Sequence, residues 1–576
     1  MAERTILQKA QIWLNEKYDP ETRQAVSEMI ENDPKELSDS FYKNLSFGTG
    51  GMRGIMGVGT NRINKYTMGS ATQGFSNYLK KAFRSQKEIS VVITHDNRNN
   101  SRYFAEVCAD VFSANSIKVY LFDDLRPTPE LSFAVRELNC QGGVMLTASH
   151  NPKEYNGYKA YWDDGAQVTP PHDTNITEEV NAVKIVEDIN FDRKAELIQS
   201  IGKAIDEKYI NRLKSLSLSP EIIKKQADFK IVYTPLHGTG VKAVPEALKA
   251  FGFSQIYNVP EQDKTDGNFP TVVSPNPENA EALTMALKKA EETNADMVAA
   301  TDPDADRVGI AVRDLNNEFV LLNGNQTASV LIYYLLKRHA DKKLLKGNEY
   351  IVKTVVTTEL LADIANHFDV EYFDTLTGFK YIAEVIRKYE GKKKFIGGGE
   401  ESYGYLAGEF VRDKDAVMST ALIAEAAAWA KENGSSFYEL LVEIYAQFGF
   451  YKEALVNLVK KGQAGENEIK QMMTDFRENP PQQISGSRLV TIKDFLTSEK
   501  KSMVDGTTTA IDLPPSNVIQ FFTEDGAKIT VRPSGTEPKI KFYIGVKADL
   551  CCKENFESVN SELESKIEKI TSDLNL

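Results

Sequence analysis

A chain of 576 residues with 41% hydrophobic side chains exceeds what one hydrophobic core supports, which predicts a globular protein of three or four compact units. Its 69 Lys plus Arg against 82 Asp plus Glu leave a formal charge of −13, which repels polyanions and argues against nucleic acid as a main partner. An anionic ligand must then be held by a locally basic site.

The N-terminal residues carry scattered charges and no apolar core of a secretion signal. No window offers the ~20 uninterrupted apolar residues of a membrane span. Cys108, Cys140, Cys551 and Cys552 lack metal-ligand spacing, and the adjacent pair would close only a strained disulfide. Reduced thiols, a cytoplasmic location and no membrane contact are the expectation; the sequence is silent on oligomeric state.

In chain order, Ile6, Ala10, Trp13 and Leu14 recur at helical spacing, and Asp19-Pro20 opens a second helical stretch, so residues 1–40 form a helical N-terminal extension. From there β-branched runs alternate with amphipathic helical patterns: SVVITHD, SRYFAEVCADVFSAN, IKVYLFDD, PELSFAVRELN, GGVMLTASH. That alternation predicts βαβ units and a mixed or parallel sheet wrapped by helices. It resumes at FKIVYTPLHGTG and restarts at EYIVKTVVTTELLADIANHF, giving α/β blocks at 41–200, 201–322 and 323–448. A different texture from 449 to 576 predicts a smaller C-terminal α+β domain.

Four loops carry chemistry. In TDPDADRVGIAV, Asp302, Asp304 and Asp306 alternate after the apolar strand DMVAA. Two unit charges ~4 Å apart repel by ~4 kcal/mol at the effective dielectric of a protein surface, so the cluster asks for a cation. An all-oxygen set with few protein ligands suits Mg²⁺. A Ca²⁺ loop fails because its sixth and twelfth residues would be Arg307 and Arg313. In TASHNPKEYNGYK, Ser149 follows the apolar run GGVML and is not bracketed by the glycines of a hydrolase elbow. A loop serine taken alone is more often a turn residue than a nucleophile.

In VRPSGTEPKIKF, Arg532 can fork onto two phosphate oxygens, while Ser534, Gly535 and Thr536 offer hydroxyls and backbone N–H groups for an anion nest. In GGGEESYGY, Glu400 and Ser402 can bond vicinal sugar hydroxyls. Glu400 and Glu401 are adjacent in an extended segment and point oppositely, which makes them poor as a glycosidase pair. The glycine-dense stretch FGTGGMRGIMGVGTNRIN matches no nucleotide fingerprint and has no strand before it, yet Arg53 within it can reach a phosphate. Asp96 and Arg98, after the strand VVIT, are expected to form a structural ion pair.

The loops TASHNP, DPDADR, GEESYG and RPSGTEP, in that order, resemble those of the alpha-D-phosphohexomutase superfamily, which includes phosphoglucomutases and phosphomannomutases. The match runs from about Phe47 to Tyr543, and the GTGGMRG opening is most similar to the larger bacterial glucomutases and the phosphopentomutases. The resemblance implies three related mixed α/β domains and a C-terminal domain around a central cleft. It also implies a phosphorylated Ser149 and Mg²⁺ on Asp302, Asp304, Asp306 and the Ser149 phosphate. Lys159 would be the general acid/base, which requires a lowered pKa in a cationic pocket. Arg53, His150 and Arg307 would lie near the reacting phosphate, and Lys380 of TGFK in the substrate site. The implied reaction interconverts glucose 1-phosphate and glucose 6-phosphate through glucose 1,6-bisphosphate. A mannose, pentose or amino-sugar phosphate would fit the same clamp. A metal-dependent sugar phosphatase and a non-catalytic sugar-phosphate sensor are the alternatives of another class.

Overall fold

The computed structural model describes residues 2–48, 51–184, 186–460, 462–534 and 539–576. They form four sheets of six, five, four and eight strands. The chain divides into two compact units. One holds the residues up to Asn323 with Phe379–Phe395 and Ser402–Asn433; the other holds Gly324–Gly378, Ile396–Glu401 and Gly434–Leu576.

Two sheets of one plan organise the first unit. The six-stranded sheet comprises β1 (Gly51–Ile55), β2 (Ser90–His95), β3 (Lys118–Phe122), β4 (Gly142–Leu146), β5 (Tyr155–Trp162) and β6 (Ile198–Ile201), in the order β1-β5-β4-β2-β3-β6. The five-stranded sheet comprises β7 (Lys230–Thr234), β8 (Gln255–Asn258), β9 (Met297–Thr301), β10 (Val308–Arg313) and β11 (Phe319–Leu322), in the order β11-β10-β9-β7-β8. Central strands such as β2, β4 and β9 are buried at every residue, as their unbroken apolar runs require when both faces are covered. β4 lies parallel to β2, and β9 parallel to β7; each is then followed by an antiparallel partner, β5 or β10. Ser149 occupies the β4–β5 connection, and the three aspartates occupy the β9–β10 connection. The two chemical loops are therefore the same topological turn in two sheets.

The glycine-dense stretch holds a strand that the sequence reading did not single out. Gly51–Ile55 is strand β1, pairing with β5 in a register that sets Arg53 opposite Gly157. Gly51 adopts φ +150°, and a Cβ there would lie 1.8 Å from the Tyr158 carbonyl oxygen. The glycines that hide the strand in the sequence are what admit the close pairing.

The N-terminal segment forms three helices where two stretches were expected: α1 (Ala2–Ile12), α2 (Pro20–Asn32) and α3 (Pro34–Phe41). Asp19 caps α2 through the Thr22 N–H at 2.8 Å, and Asp33-Pro34 repeats the device, with Asp33 accepting from the Glu36 N–H at 3.0 Å. Trp13, Tyr18 and Phe41 pack with Tyr66 at the start of the following helix α4 (Lys65–Ala82). The Tyr66 hydroxyl donates to Asp19 Oδ2 at 2.6 Å and accepts from the Asp19 N–H at 2.8 Å.

In the second unit, strands Glu349–Thr354 and Glu371–Thr375 run parallel. An antiparallel sheet built on Phe450–Val459, Ser487–Asp494, Ile519–Thr523, Lys528–Pro533 and Lys539–Ala548 packs against helix Phe556–Asp573. No helix among the described residues is long and apolar enough to cross a membrane.

Because Phe41 is fully buried in the aromatic cluster that docks the N-terminal helices, Phe41→Ala should destabilise that layer by about 3–5 kcal/mol. Hydrogen exchange followed by mass spectrometry should show faster exchange across residues 5–41 while β4 stays protected.

Candidate active site

Ser149 lies three residues beyond β4 with φ +51°, a left-handed conformation that costs a non-glycine residue of order 1–3 kcal/mol. Its N–H donates to Thr147 Oγ1 at 2.8 Å, and its side chain is turned onto the second sheet's loop, where Oγ donates to Asp302 Oδ2 at 2.7 Å. These residues are 153 positions apart in sequence. His150 Nδ1 lies 3.2 Å from the same Oγ. Burial, with the positive charges of Arg307 and Arg53, pushes the His150 pKa down to about 2, so the ring is neutral.

The aspartate loop folds back on itself. Asp302 Oδ1 accepts from the N–H groups of Asp306 and Arg307 at 3.1 and 3.0 Å, and Ala305 turns the corner with φ +50°. Asp304 Oδ2 accepts from Lys159 Nζ at 2.7 Å and from Thr128 Oγ1 at 2.8 Å. Asp306 Oδ2 accepts from Lys159 Nζ at 3.0 Å and pairs with Lys414 Nζ at 3.2 Å. The opposite oxygens, Asp304 Oδ1 and Asp306 Oδ1, are buried without any hydrogen bond.

One oxygen of each of the three buried carboxylates falls within 4.8 Å of the others. Buried oxygens left open in a cluster of carboxylates, all of them hard donors, fit a divalent cation. The site suits a metal ion on its own geometry.

The electrostatics follow from this crowding. Burial, then the charges of Asp304 and Asp306, raises the Asp302 pKa well above the usual carboxylate range. Asp306 also suffers burial, but Lys159, Lys414 and Arg307 outweigh it and hold its pKa far below that range. For Lys159, burial opposes the charge, yet Asp304 and Asp306 win and raise its pKa. This corrects the expectation of a depressed Lys159: the pocket around its ammonium is made of carboxylates.

Arg53 Nη1 donates to Asn151 Oδ1 at 2.9 Å beside the serine loop, and Arg307 Nη1 donates to Glu278 Oε1 at 2.6 Å. One unit thus gathers Ser149, His150, Arg53, Lys159, the three aspartates and Arg307. Lys380, at the start of helix Phe379–Tyr389, lies 3.7 Å from Asp173 Oδ2, and Ser402 is half-buried in the turn after strand Lys394–Glu400.

Glu400 belongs to the second unit, where it accepts from the Gly378 N–H at 2.8 Å. Glu401 instead turns to the hydroxyls of Thr357 and Thr354, at 3.2 and 3.4 Å. Burial and the neighbouring Glu400 push the Glu401 pKa up to about 7. Arg532 is in strand Lys528–Pro533 opposite Lys541, and the Ser534 N–H donates to the Lys539 carbonyl at 2.8 Å. Gly535 and Thr536 lie outside the described residues.

Sequence reasoning missed Thr128, Lys414 and the reach of Arg98. Thr128 binds Asp304 twice, through Oγ1 and through its N–H to the Asp304 carbonyl at 2.9 Å. Lys414 bridges Asp306 and Asp413, each at 3.2 Å. The charged run RDKD at 412–415 was the available signal for Lys414, and nothing in the sequence marks Thr128 beyond a helix start.

The descriptions "Phosphoglucomutase/phosphomannomutase, alpha/beta/alpha domain" I, II and III match residues 44–187, 207–316 and 323–448. The phosphoglucomutase of Staphylococcus haemolyticus (strain JCSC1435) is 37% identical over 531 residues, covering 92% of this chain and 94% of its own. That of Staphylococcus aureus (strain MRSA252) is 38% identical over 535 residues, with the same coverage of each. The fold is shared with two solved structures. A phosphoglucomutase/phosphomannomutase family protein of Burkholderia thailandensis has a TM-score of 0.65 and 16% identity, covering 92% of this chain and 97% of its own. The parafusin phosphoglucomutase of Paramecium in its open form has a TM-score of 0.64 and 20% identity, covering 92% and 96%. The chain belongs to the phosphoglucomutase/phosphomannomutase family, within the alpha-D-phosphohexomutase superfamily.

The raised Asp302 pKa has a sign that can be measured. Folding favours the protonated carboxyl, so its stabilising contribution is complete below the unfolded pKa and is lost as pH rises through the folded one. A cation needs the ionised form and must displace that proton. Mg²⁺ affinity should therefore weaken by up to about tenfold per pH unit below the folded pKa of Asp302. Calorimetry in buffers of different ionisation enthalpy should detect the released proton, and Asp302→Asn should flatten the slope.

Proposed function

We propose that the protein is a phosphoglucomutase, an isomerase that acts as an intramolecular phosphotransferase on glucose 1-phosphate and glucose 6-phosphate. Support comes from the family, from relatives named phosphoglucomutase over nearly the whole chain, and above all from Ser149 Oγ 2.7 Å from Asp302 in a buried aspartate cluster. In this reading a phosphoryl group on Ser149 Oγ passes to the free hydroxyl of the bound sugar phosphate. The serine P–O bond breaks, a sugar P–O bond forms, and glucose 1,6-bisphosphate results. The bisphosphate turns around and returns its other phosphoryl group to Ser149.

Asp302, Asp304 and Asp306 would hold Mg²⁺, which when bound neutralises charge on the transferring group and competes with Lys159 for the carboxylates. Around the three acids stand three cations, Lys159, Lys414 and Arg307. A phosphoserine brings about two further negative charges, the complement of one divalent ion. Lys159 would carry the hydroxyl proton between half-reactions as general acid and base, a role that requires Asp304 and Asp306 to be drawn from its ammonium onto the cation so that its pKa falls. Neutral His150 would orient Ser149 Oγ without contributing charge, and Arg53 with Arg307 would hold phosphoryl oxygens.

Glu400 and Ser402 would hold the sugar hydroxyls, and Lys380 would contact the substrate. Arg532, Ser534, Gly535 and Thr536 would grip the phosphate that is not reacting. The domains carried with this proposal are 41–200, 201–322, 323–448 and 449–576 after the helical extension 1–40, and the setting is the cytoplasm.

Ser149→Ala should abolish conversion of glucose 1-phosphate to glucose 6-phosphate while sugar-phosphate binding stays within about tenfold, since the serine acts on the transferring group and not on the sugar. The assay couples glucose 6-phosphate to its dehydrogenase and follows free phosphate in parallel. Normal turnover by the variant would reject the phosphoserine route, and stoichiometric release of phosphate by the wild-type protein would instead identify a phosphatase.

A further inference from the structure

The Ser149 loop is folded around one side chain that its expected ion pair does not account for. Arg98, three residues beyond β2, is only 3% exposed. Its Nη2 donates to the carbonyls of Ser149 and Asn151, both at 2.5 Å, and its Nη1 donates to those of Pro152 and Tyr155 at 2.8 and 3.0 Å. Its Nε lies 3.3 Å from Asp96 Oδ2, and Asp96 Oδ1 is anchored by the Arg98 N–H at 2.9 Å and Ser101 Oγ at 2.7 Å. The Phe269 ring covers the guanidinium at 5.1 Å.

We infer that Arg98 is the positioning residue that sets the Ser149 hydroxyl for phosphoryl transfer, an inference that rests on the phosphoserine reading above. Residues 149–154 lie outside the sheet ladder before Tyr155 opens β5, so most of their carbonyls need partners from elsewhere. A guanidinium offers five N–H donors in a fixed fork, and here the two terminal nitrogens serve four carbonyls of one loop. With its carbonyl drawn to Arg98 and φ at +51°, Ser149 presents its side chain away from the guanidinium, onto Asp302. Without the fork, the left-handed conformation of Ser149 is left to its N–H bond to Thr147 Oγ1 and to its side chain on Asp302. Lysine keeps the charge but offers a single nitrogen with three donors, too few for four carbonyls spread over seven residues.

The second sheet's loop reinforces the clamp. Asn97 Nδ2 donates to the Asp266 carbonyl, and Asn99 Nδ2 donates to Asn268 Oδ1, each at 3.0 Å. Ser274 Oγ donates to the His150 carbonyl at 3.1 Å. Arg98 thus lies where the serine loop and the 266–274 loop meet.

The test compares Arg98→Lys with the wild-type protein. One readout is phosphorylation of Ser149 by glucose 1,6-bisphosphate, followed by intact mass; the other is steady-state mutase kinetics. The expected result is a fall of about 100-fold in kcat and in the phosphorylation rate, the scale of a reacting atom displaced by about 1 Å. KM for glucose 1-phosphate and the calorimetric Mg²⁺ affinity should stay within about threefold, because the sugar and cation ligands are not touched. Millimolar guanidinium should partly restore turnover to Arg98→Gly and none to Ser149→Ala.

Phe269→Leu, which loosens the ring over the guanidinium, gives a milder variant should the others misfold; a kcat loss with unchanged KM is expected there too. Wild-type kinetics in Arg98→Lys, or equal losses of kcat, Mg²⁺ binding and thermal stability without rescue, would overturn the positioning role. A wild-type protein that never takes phosphate on Ser149 would remove the phosphoserine reading and this inference with it.

Discussion

Three carboxylates buried within 4.8 Å of one another set the terms for everything around them. Two such charges repel by several kcal/mol even at a moderate effective dielectric, so the fold must surround them with compensation. It does so from several parts of the chain. Lys159 arrives on β5, Lys414 from the segment after strand Gly404–Ala407, Arg307 from the loop's own end, and Thr128 from the start of helix Thr128–Glu137. The hydrogen bonds from Lys159 and Thr128 fall on the Oδ2 atoms, which leaves Asp304 Oδ1 and Asp306 Oδ1 without a hydrogen bond.

The serine loop is organised on the opposite principle. The aspartate loop is held by charges brought to its side chains, whereas the serine loop is held by its backbone carbonyls gathered on Arg98. One device fixes where negative charge can sit, and the other fixes where a hydroxyl points. Both are mounted on the turn that follows a fully buried strand next to an antiparallel partner, so the sheets supply rigidity while the turns supply the donors and acceptors.

How much of this was legible in the residues depended on whether the signal was local. VVIT, GGVML and DMVAA read as buried strands because apolar runs bounded by turn residues have little else to do. The alternation of Asp302, Asp304 and Asp306 announced a cation site for the same local reason. Strand β1 was not legible, since its glycines argue against a strand until Tyr158 stands close behind Gly51. The third N-terminal helix was overlooked although Asp33-Pro34 carries the same cap as Asp19-Pro20. The charge state of Lys159 and the bonds of Arg98 depend on atoms brought from distant segments, and no pattern along the chain encodes those distances.

Lys159 and Thr128 both belong to the first sheet's part of the chain, and both are bonded to carboxylates of the second. Pulling the two sheets apart would take from these acids the partners that offset their mutual repulsion. The acids that equip the site for chemistry therefore also fasten the first sheet to the second.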